Sequence, residues 1–499
     1  VAVRILVVVC GALAVLFAVE LAIDLSRANV PWSQLEATAR SGQALASTVS
    51  RAFNNLTAMV LTFIALAVPL TANMYTPKLV EIFVRDRVNI AAMVFFAALG
   101  AHAVFGQAVM YDQWSPAPLA VYTTLWVSGV VGFAVLIPYY FYVLAFLNPA
   151  TIIRRVTDLV LREFDDVAER GRADPESRRR LDQKILNLGN VILRAVDRAD
   201  RDVSLDAISG LQHAIMRYVD VKPRLPDEWF AVESAIFTGH SRDAVSFVVR
   251  DRVWVEQKCL HQLLLAYSSA LAKMPDAISA ISGVNRRIAI HAEKVGDERL
   301  LALCVRYFNT FLREAIKKRD VHAIYDVYSQ YSFLAKDLLP RRPEVALEIG
   351  RHFRYYADFA GMQSMPFVKE LAAYDVSELV EAAYDADASS RAALLELFLL
   401  IETDHASVRL VKSRAMLAAS FRARGLAAEA ALVEAAVLRS SADLIARARR
   451  ELIATTDPVF WEVTDRQRNL DYVPPERRAF VKEILDDAVR RKGDGPAPA

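Results

Sequence analysis

Residues 55–75 read N-L-T-A-M-V-L-T-F-I-A-L-A-V-P-L-T-A-N-M-Y, a run with no charged side chain. A hydrocarbon core of about 30 Å takes roughly 20 apolar residues in an α-helix, so this stretch is read as membrane-spanning. Three more segments in the first 150 residues meet the same condition, from about Ile5 to Ile23, Asn89 to Met110 and Leu119 to Phe146. The span at 5–23 is preceded by Arg4 and ends on Glu20 and Asp24. Its apolar run is long for a signal peptide, and no small-x-small site precedes Asp24 and Arg27, so it is expected to be an uncleaved anchor.

Orientation follows from the basic residues. Lys78, Arg85 and Arg87 crowd the connection between the second and third spans, and Arg154, Arg155 and Arg162 follow the fourth. The connection from Tyr111 to Pro118 has neither Lys nor Arg, while Arg27, Arg40 and Arg51 are spread thinly over the first connection. Both termini are therefore expected in the cytoplasm, with the chain in a bacterial inner membrane. Trp32, Tyr111 and Trp114 would mark the outer interface, and Tyr139, Tyr140 and Tyr142 the inner one.

Beyond Ala173 the chain reads as almost entirely helical. Gly is scarce, at 17 in the whole chain, and apolar residues recur every three or four positions. Long helical patterns include Arg242–Lys273, Asp276–Val295 and Asp297–Lys318, with breaks at Lys222–Asp227, Pro340–Pro343 and Tyr472–Pro475. The expected fold class is all-α: four transmembrane helices, then a large cytosolic multi-helical domain, with a solenoid-like stack of helix pairs left open. The expected boundaries are a transmembrane domain over 1–149, a juxtamembrane helix over 150–174, a cytosolic domain over 175–491 and a disordered tail over 492–499. Three cysteines, Cys10, Cys259 and Cys304, give no disulfide framework.

The stretch from Ala46 to Arg87 continues A-S-T-V-S-R-A-F-N-N-L-T-A-M-V into a spanning run and then T-A-N-M-Y-T-P-K-L-V-E-I-F-V-R-D-R. It resembles bacterial membrane proteins of the family called domain of unknown function 2254. There a small-residue helix leads into a segment of the form S-S-Q-(F/Y)-S-P-R-L-L-x-x-F-x-R-D-R. The matching positions here are Ala72, Asn73, Tyr75, Thr76, Pro77, Lys78, Leu79, Phe83, Arg85, Asp86 and Arg87. The resemblance covers about 150 residues; of the soluble-region stretches seen in many members, Ser282–Arg286 is only a faint echo. It implies four spans and a large cytosolic region, and no assigned activity.

No H-E-x-x-H, C-x-x-C, Walker-type or G-x-S-x-G pattern occurs, so no metal ligand, cofactor site or catalytic residue is expected. Charge is nearly balanced, at +2, and basic residues are not interleaved with aromatics as nucleic-acid binding requires, so no nucleic-acid partner is expected. Polar groups inside a bilayer are costly and mark function or a hydrogen-bonded bundle interior. The candidates are Glu20, Asp24, Asn54, Asn55, His102 and Gln107. The second candidate site is the interfacial segment with Tyr75, Pro77, Lys78, Arg85, Asp86 and Arg87, read as an amphipathic turn. In that reading Leu79, Val80, Ile82 and Phe83 lie on lipid, and Lys78, Glu81, Arg85 and Asp86 face water. Its ion pairs would couple the membrane bundle to the helical domain, or its cations would meet anionic headgroups.

These observations favour a non-enzymatic, homo-oligomeric pore or transport-type protein with a helical regulatory domain, its partners being the bilayer and further copies. A scaffold or accessory subunit of a membrane complex is the alternative, and an enzyme acting on lipid comes third.

Overall fold

The computed structural model describes residues 39–75, 78–109, 119–232, 234–237, 241–402, 407–462 and 466–493. Every long element among them is an α-helix, and none is a strand. The chain divides into two compact units, Val1–Val156 and Thr157–Ala499.

The first unit holds α1 (Ala39–Met74), the short α2 (Lys78–Val84), α3 (Arg87–Val109), α4 (Leu119–Leu147) and the opening turns of α5 (Pro149–Arg170). Three stretches are long and apolar enough to cross a bilayer: Ser47–Met74, Arg87–Phe105 and Thr124–Leu147. The fourth expected span, 5–23, lies outside the described residues, as do Glu20, Asp24, Trp32, Tyr111 and Trp114. Pro69 and Pro138 fall inside α1 and α4, which membrane helices tolerate because neighbouring groups re-satisfy the freed carbonyls. The helices α1, α3 and α4 pack pairwise around Phe53, which is 4 % exposed. Its ring lies 6.4 Å from that of Phe96 and 6.1 Å from that of Phe133. The ring edge also fills the space where a side chain at Gly132 would stand. Glycine lets two membrane helices close on an aromatic ring here.

The second unit is a two-row stack. One row runs through α7 (Arg201–Val221), α10 (Pro275–Val295), α12 (Val321–Leu338), α14 (Phe367–Asp385) and α16 (Val408–Ala423). The other runs through α6 (Pro175–Asp197), α9 (Trp254–Ala270), α11 (Glu298–Lys318), α13 (Pro343–Met362) and α15 (Arg391–Leu399). Each helix touches its sequence neighbour and the next member of its own row, the neighbour pattern of stacked helix pairs. The remaining helices are α8 (Arg242–Arg250), α17 (Ala427–Val437), α18 (Ala442–Ala454) and α19 (Pro475–Gly493), the last three packing on α16.

Local chemistry explains the helix ends. Asp174, Asp200, Asp297, Asp320, Ser407 and Ser441 each accept a hydrogen bond from an amide in the first turn. The expected single helix over Arg242–Lys273 is in fact two. Arg252 takes a left-handed conformation (φ 56°), and its guanidinium covers the Phe230 ring at 4.6 Å. Aromatic pairs fill the core: Phe308 stacks on Tyr331 at 4.6 Å, and Trp229 meets Trp254 at 5.2 Å. Cys259 and Cys304 are fully buried thiols. Ser282 and Asn285, the faint family echo, are core residues of α10, with Asn285 donating to the Cys304 carbonyl at 2.9 Å. The C-terminal helix reaches Gly493, so Lys492 and Gly493 of the expected tail are helical.

Candidate functional site

The interfacial segment is built around Asp86, between α2 and α3. Its Oδ1 accepts from the amides of Val88 at 3.1 Å and Asn89 at 3.3 Å, so the carboxylate caps α3. The same oxygen accepts a 2.6 Å hydrogen bond from the Tyr142 hydroxyl on α4. Its Oδ2 accepts from Arg155 Nη1 on α5 at 3.2 Å, and Arg155 Nη2 reaches the Tyr142 hydroxyl at 3.4 Å. One carboxylate thus ties together the start of α3, the end of α4 and the first turns of α5.

An apolar floor supports the network. Arg155 lies 4.1 Å over the Phe146 ring, and Phe146 meets Phe83 edge-on at 5.1 Å. Asn89, fully buried, donates to the Phe83 carbonyl at 2.9 Å and locks the turn between α2 and α3. The amphipathic reading of this turn therefore needs two corrections. Phe83 does not lie on lipid; it is 2 % exposed and packed on Phe146. Asp86 does not simply face water either: its side chain is 19 % exposed. It accepts from four donors, two amides of its own cap and one group on each of two other helices.

The other residues of the segment divide plainly. Tyr75 is buried, Arg85 pairs with Glu81 at 3.1 Å on the outside, and Arg87 is exposed. Lys78 opens α2, and Pro77 lies outside the described residues. The exposed cations Arg85, Arg87 and Arg154 leave this end of the bundle basic. Tyr142 and Arg155 are the functional residues that the sequence reading assigned only to topology. A lone acid between two arginines was the signal, since such an acid needs a partner from elsewhere.

Among the described residues, the intramembrane polar candidates do not converge in the interior. Asn54, Asn55 and Gln107 are exposed on the unit, and His102 is half-buried. Arg51, Asn55, Ala58, Thr62, Ala65, Pro69 and Asn73 are all exposed and follow one another at intervals of three or four along α1. That spacing puts them on one face of a helix. The face holds small and polar residues, whereas Met59, Leu66 and Leu70 beside it present bulky apolar ones.

Residues 1–198 match the family model of the predicted membrane protein DUF2254. The match spans the first unit with α5 and α6, and it contains the R-D-R turn together with both partners of Asp86. No curated protein and no solved structure matches the chain. The DUF2254 region accordingly carries the candidate site, and the helical stack beyond residue 198 stands outside the match. Among the described residues no group of histidines, cysteines and carboxylates is placed to hold a metal ion.

Proposed function

We propose that this predicted membrane protein is a non-enzymatic homo-oligomer of the pore or transport type. It would sit in a bacterial inner membrane with both termini in the cytoplasm, α1 lining the contact or path between copies. One observation carries the reading: the exposed face of α1 with Arg51, Asn55, Thr62 and Asn73 among small residues. An amide turned to hydrocarbon, as Asn55 is here, costs about 2 kcal/mol or more if nothing bonds it, so the face is better matched to another polar helix or to water. Ala58 and Ala65 lie seven residues apart on it, as do Asn55 and Thr62, the repeat of left-handed helix packing. Asp86 then serves as the coupling element, joining the inner ends of α3 and α4 to α5.

Cysteine cross-linking in native membranes tests the assembly. In a Cys10→Ser background, Ala65→Cys should give a covalent dimer on mild oxidation and Leu70→Cys should not. Conductance of the purified chain in liposomes, with Asn55→Leu reducing it, tests transport. Absence of both cross-link and current would overturn the reading. Cross-linking without current would replace it with a non-conducting scaffold, a reading favoured by the exposed Val459 and Trp461 of the second unit, 59 % and 80 % accessible.

A further inference from the structure

The second unit contains a cavity of about 550 Å³ that no expectation from the sequence anticipated. Its walls are the start of α12, the first half of α14, the start of α16 and, between α18 and α19, Phe460, Glu462, Arg466 and 468–471. The stretch 466–471 is pinned at three points. Arg466 donates to both oxygens of Asp375 at 2.7 and 2.8 Å, and Arg468 pairs with Glu378. Asp471 takes Lys412 at 2.7 Å and the Tyr374 hydroxyl at 2.5 Å. Such anchoring holds Arg466 at the cavity wall, which Phe460 also lines.

The lining has two characters. Tyr325, Leu371, Tyr374 and Phe460 make an apolar, largely aromatic body, and Arg409 and Arg466 supply guanidinium groups. The Arg466 side chain is only 7 % exposed, and its Nε is buried with no acceptor. A buried donor left unmet is costly, and an acceptor on a bound molecule would relieve it. Arg409 is 55 % exposed and gives Nη1 to Glu370 at 3.1 Å, one of five donor hydrogens on its fork. Glu370, Asp375 and Glu378 pair with the arginines nearby, Asp471 pairs with Lys412, and Glu462 also lines the wall, so local charge is near neutral. That balance disfavours a polyphosphate, and the donor hydrogens left over on Arg409 leave room for a single carboxylate.

We propose that this cavity binds a small carboxylic acid with an apolar body, its carboxylate toward Arg409 and Arg466 and its body against Tyr325, Tyr374 and Phe460. The volume is within the roughly 300–1,000 Å³ usual for small-molecule sites. Such an acid can be a chain released from lipid or a water-soluble aromatic acid. The test is isothermal titration of the full chain in nanodiscs, against empty nanodiscs, with octanoate and with 2-naphthoate.

Saturable one-to-one binding of either acid is expected, octanoate pointing to the lipid source and 2-naphthoate to the soluble one. Val321→Trp, at an exposed rim position, should abolish binding by filling the cavity. Arg409→Gln should weaken it about tenfold, the scale of one charge-assisted hydrogen bond. Binding of neither acid, or binding unchanged in Val321→Trp, would overturn the proposal. Equal affinity for 2-naphthol would overturn the part played by the arginines.

Discussion

Asp86→Ala should open the end of the membrane bundle where α3 starts and α4 finishes. The loss has three parts. The cap on α3 is worth about 1 kcal/mol. A hydrogen bond to a charged acceptor, here from Tyr142, contributes about 1.5–3 kcal/mol. The ion pair with Arg155, with side chains 30 % and 19 % exposed, adds about 0.5–1 kcal/mol. These groups share one carboxylate, so the parts overlap and about 3 kcal/mol is a fair expectation. Asp86→Asn keeps a capping oxygen and a neutral partner for Tyr142, and should lose roughly half of that. Whole-chain unfolding would mix two units, so a local probe is needed. Val143→Cys serves, because Val143 is 1 % exposed on α4, and a thiol there is labelled only when the bundle opens. With Cys10 replaced by Ser, Asp86→Ala should raise the labelling rate of the full chain in micelles by about a hundredfold. In a double-mutant cycle, Tyr142→Phe should add little once Asp86 is gone. An increase under about fivefold, or equal effects of Ala and Asn, would refute the assignment of Asp86 as the tie between these helices.

Gly132→Ala should drive a methyl into the Phe53 ring and destabilise the bundle by about 1–3 kcal/mol, read by the same thiol labelling. Asp375→Asn should cost about 3–5 kcal/mol by leaving Arg466 buried without its counter-charge. Thermal unfolding of the full chain would show this, and the double variant Asp375→Leu with Arg466→Met should recover much of the loss. Burial, only partly opposed by Glu348, holds the His352 imidazole below its ordinary 6.5 while Asn309 and Tyr331 bond its Nδ1 at 3.3 and 3.1 Å. The unfolded chain therefore takes the proton first, so this contribution is complete above pH 6.5 and declines as pH falls below it. His352→Gln should flatten that part of a melting-temperature profile measured from pH 7.5 to 5.

The helical class and the spans over α1, α3 and α4 were legible from the sequence because both signals are local. A run of apolar residues needs a bilayer's thickness whatever surrounds it, and a period of three or four reports one buried face. Legibility failed where burial is not one-sided. Helix α14 buries Val368, Ala372, Tyr374, Asp375, Val376 and Leu379, which point in several directions, so it shows no clean polar face. The break at Arg252 was equally hidden, since a left-handed arginine has no composition signal and depends on the Phe230 ring beneath it.

By itself, then, the sequence determined that the chain is helical, that its first part suits a membrane, and that Asp86 stands among cations. Only the tertiary structure decided which groups Asp86 meets. Tyr142 and Arg155 lie 56 and 69 residues away on other helices, and no local pattern encodes that meeting. It likewise decided that Asn54, Asn55 and Gln107 face outward, because Phe53, Phe96 and Tyr139 take the interior of the bundle. An intramembrane polar residue reads the same in sequence whether it faces its own bundle or a neighbour. The Phe53 ring, seated against Gly132, fills the space between their helices.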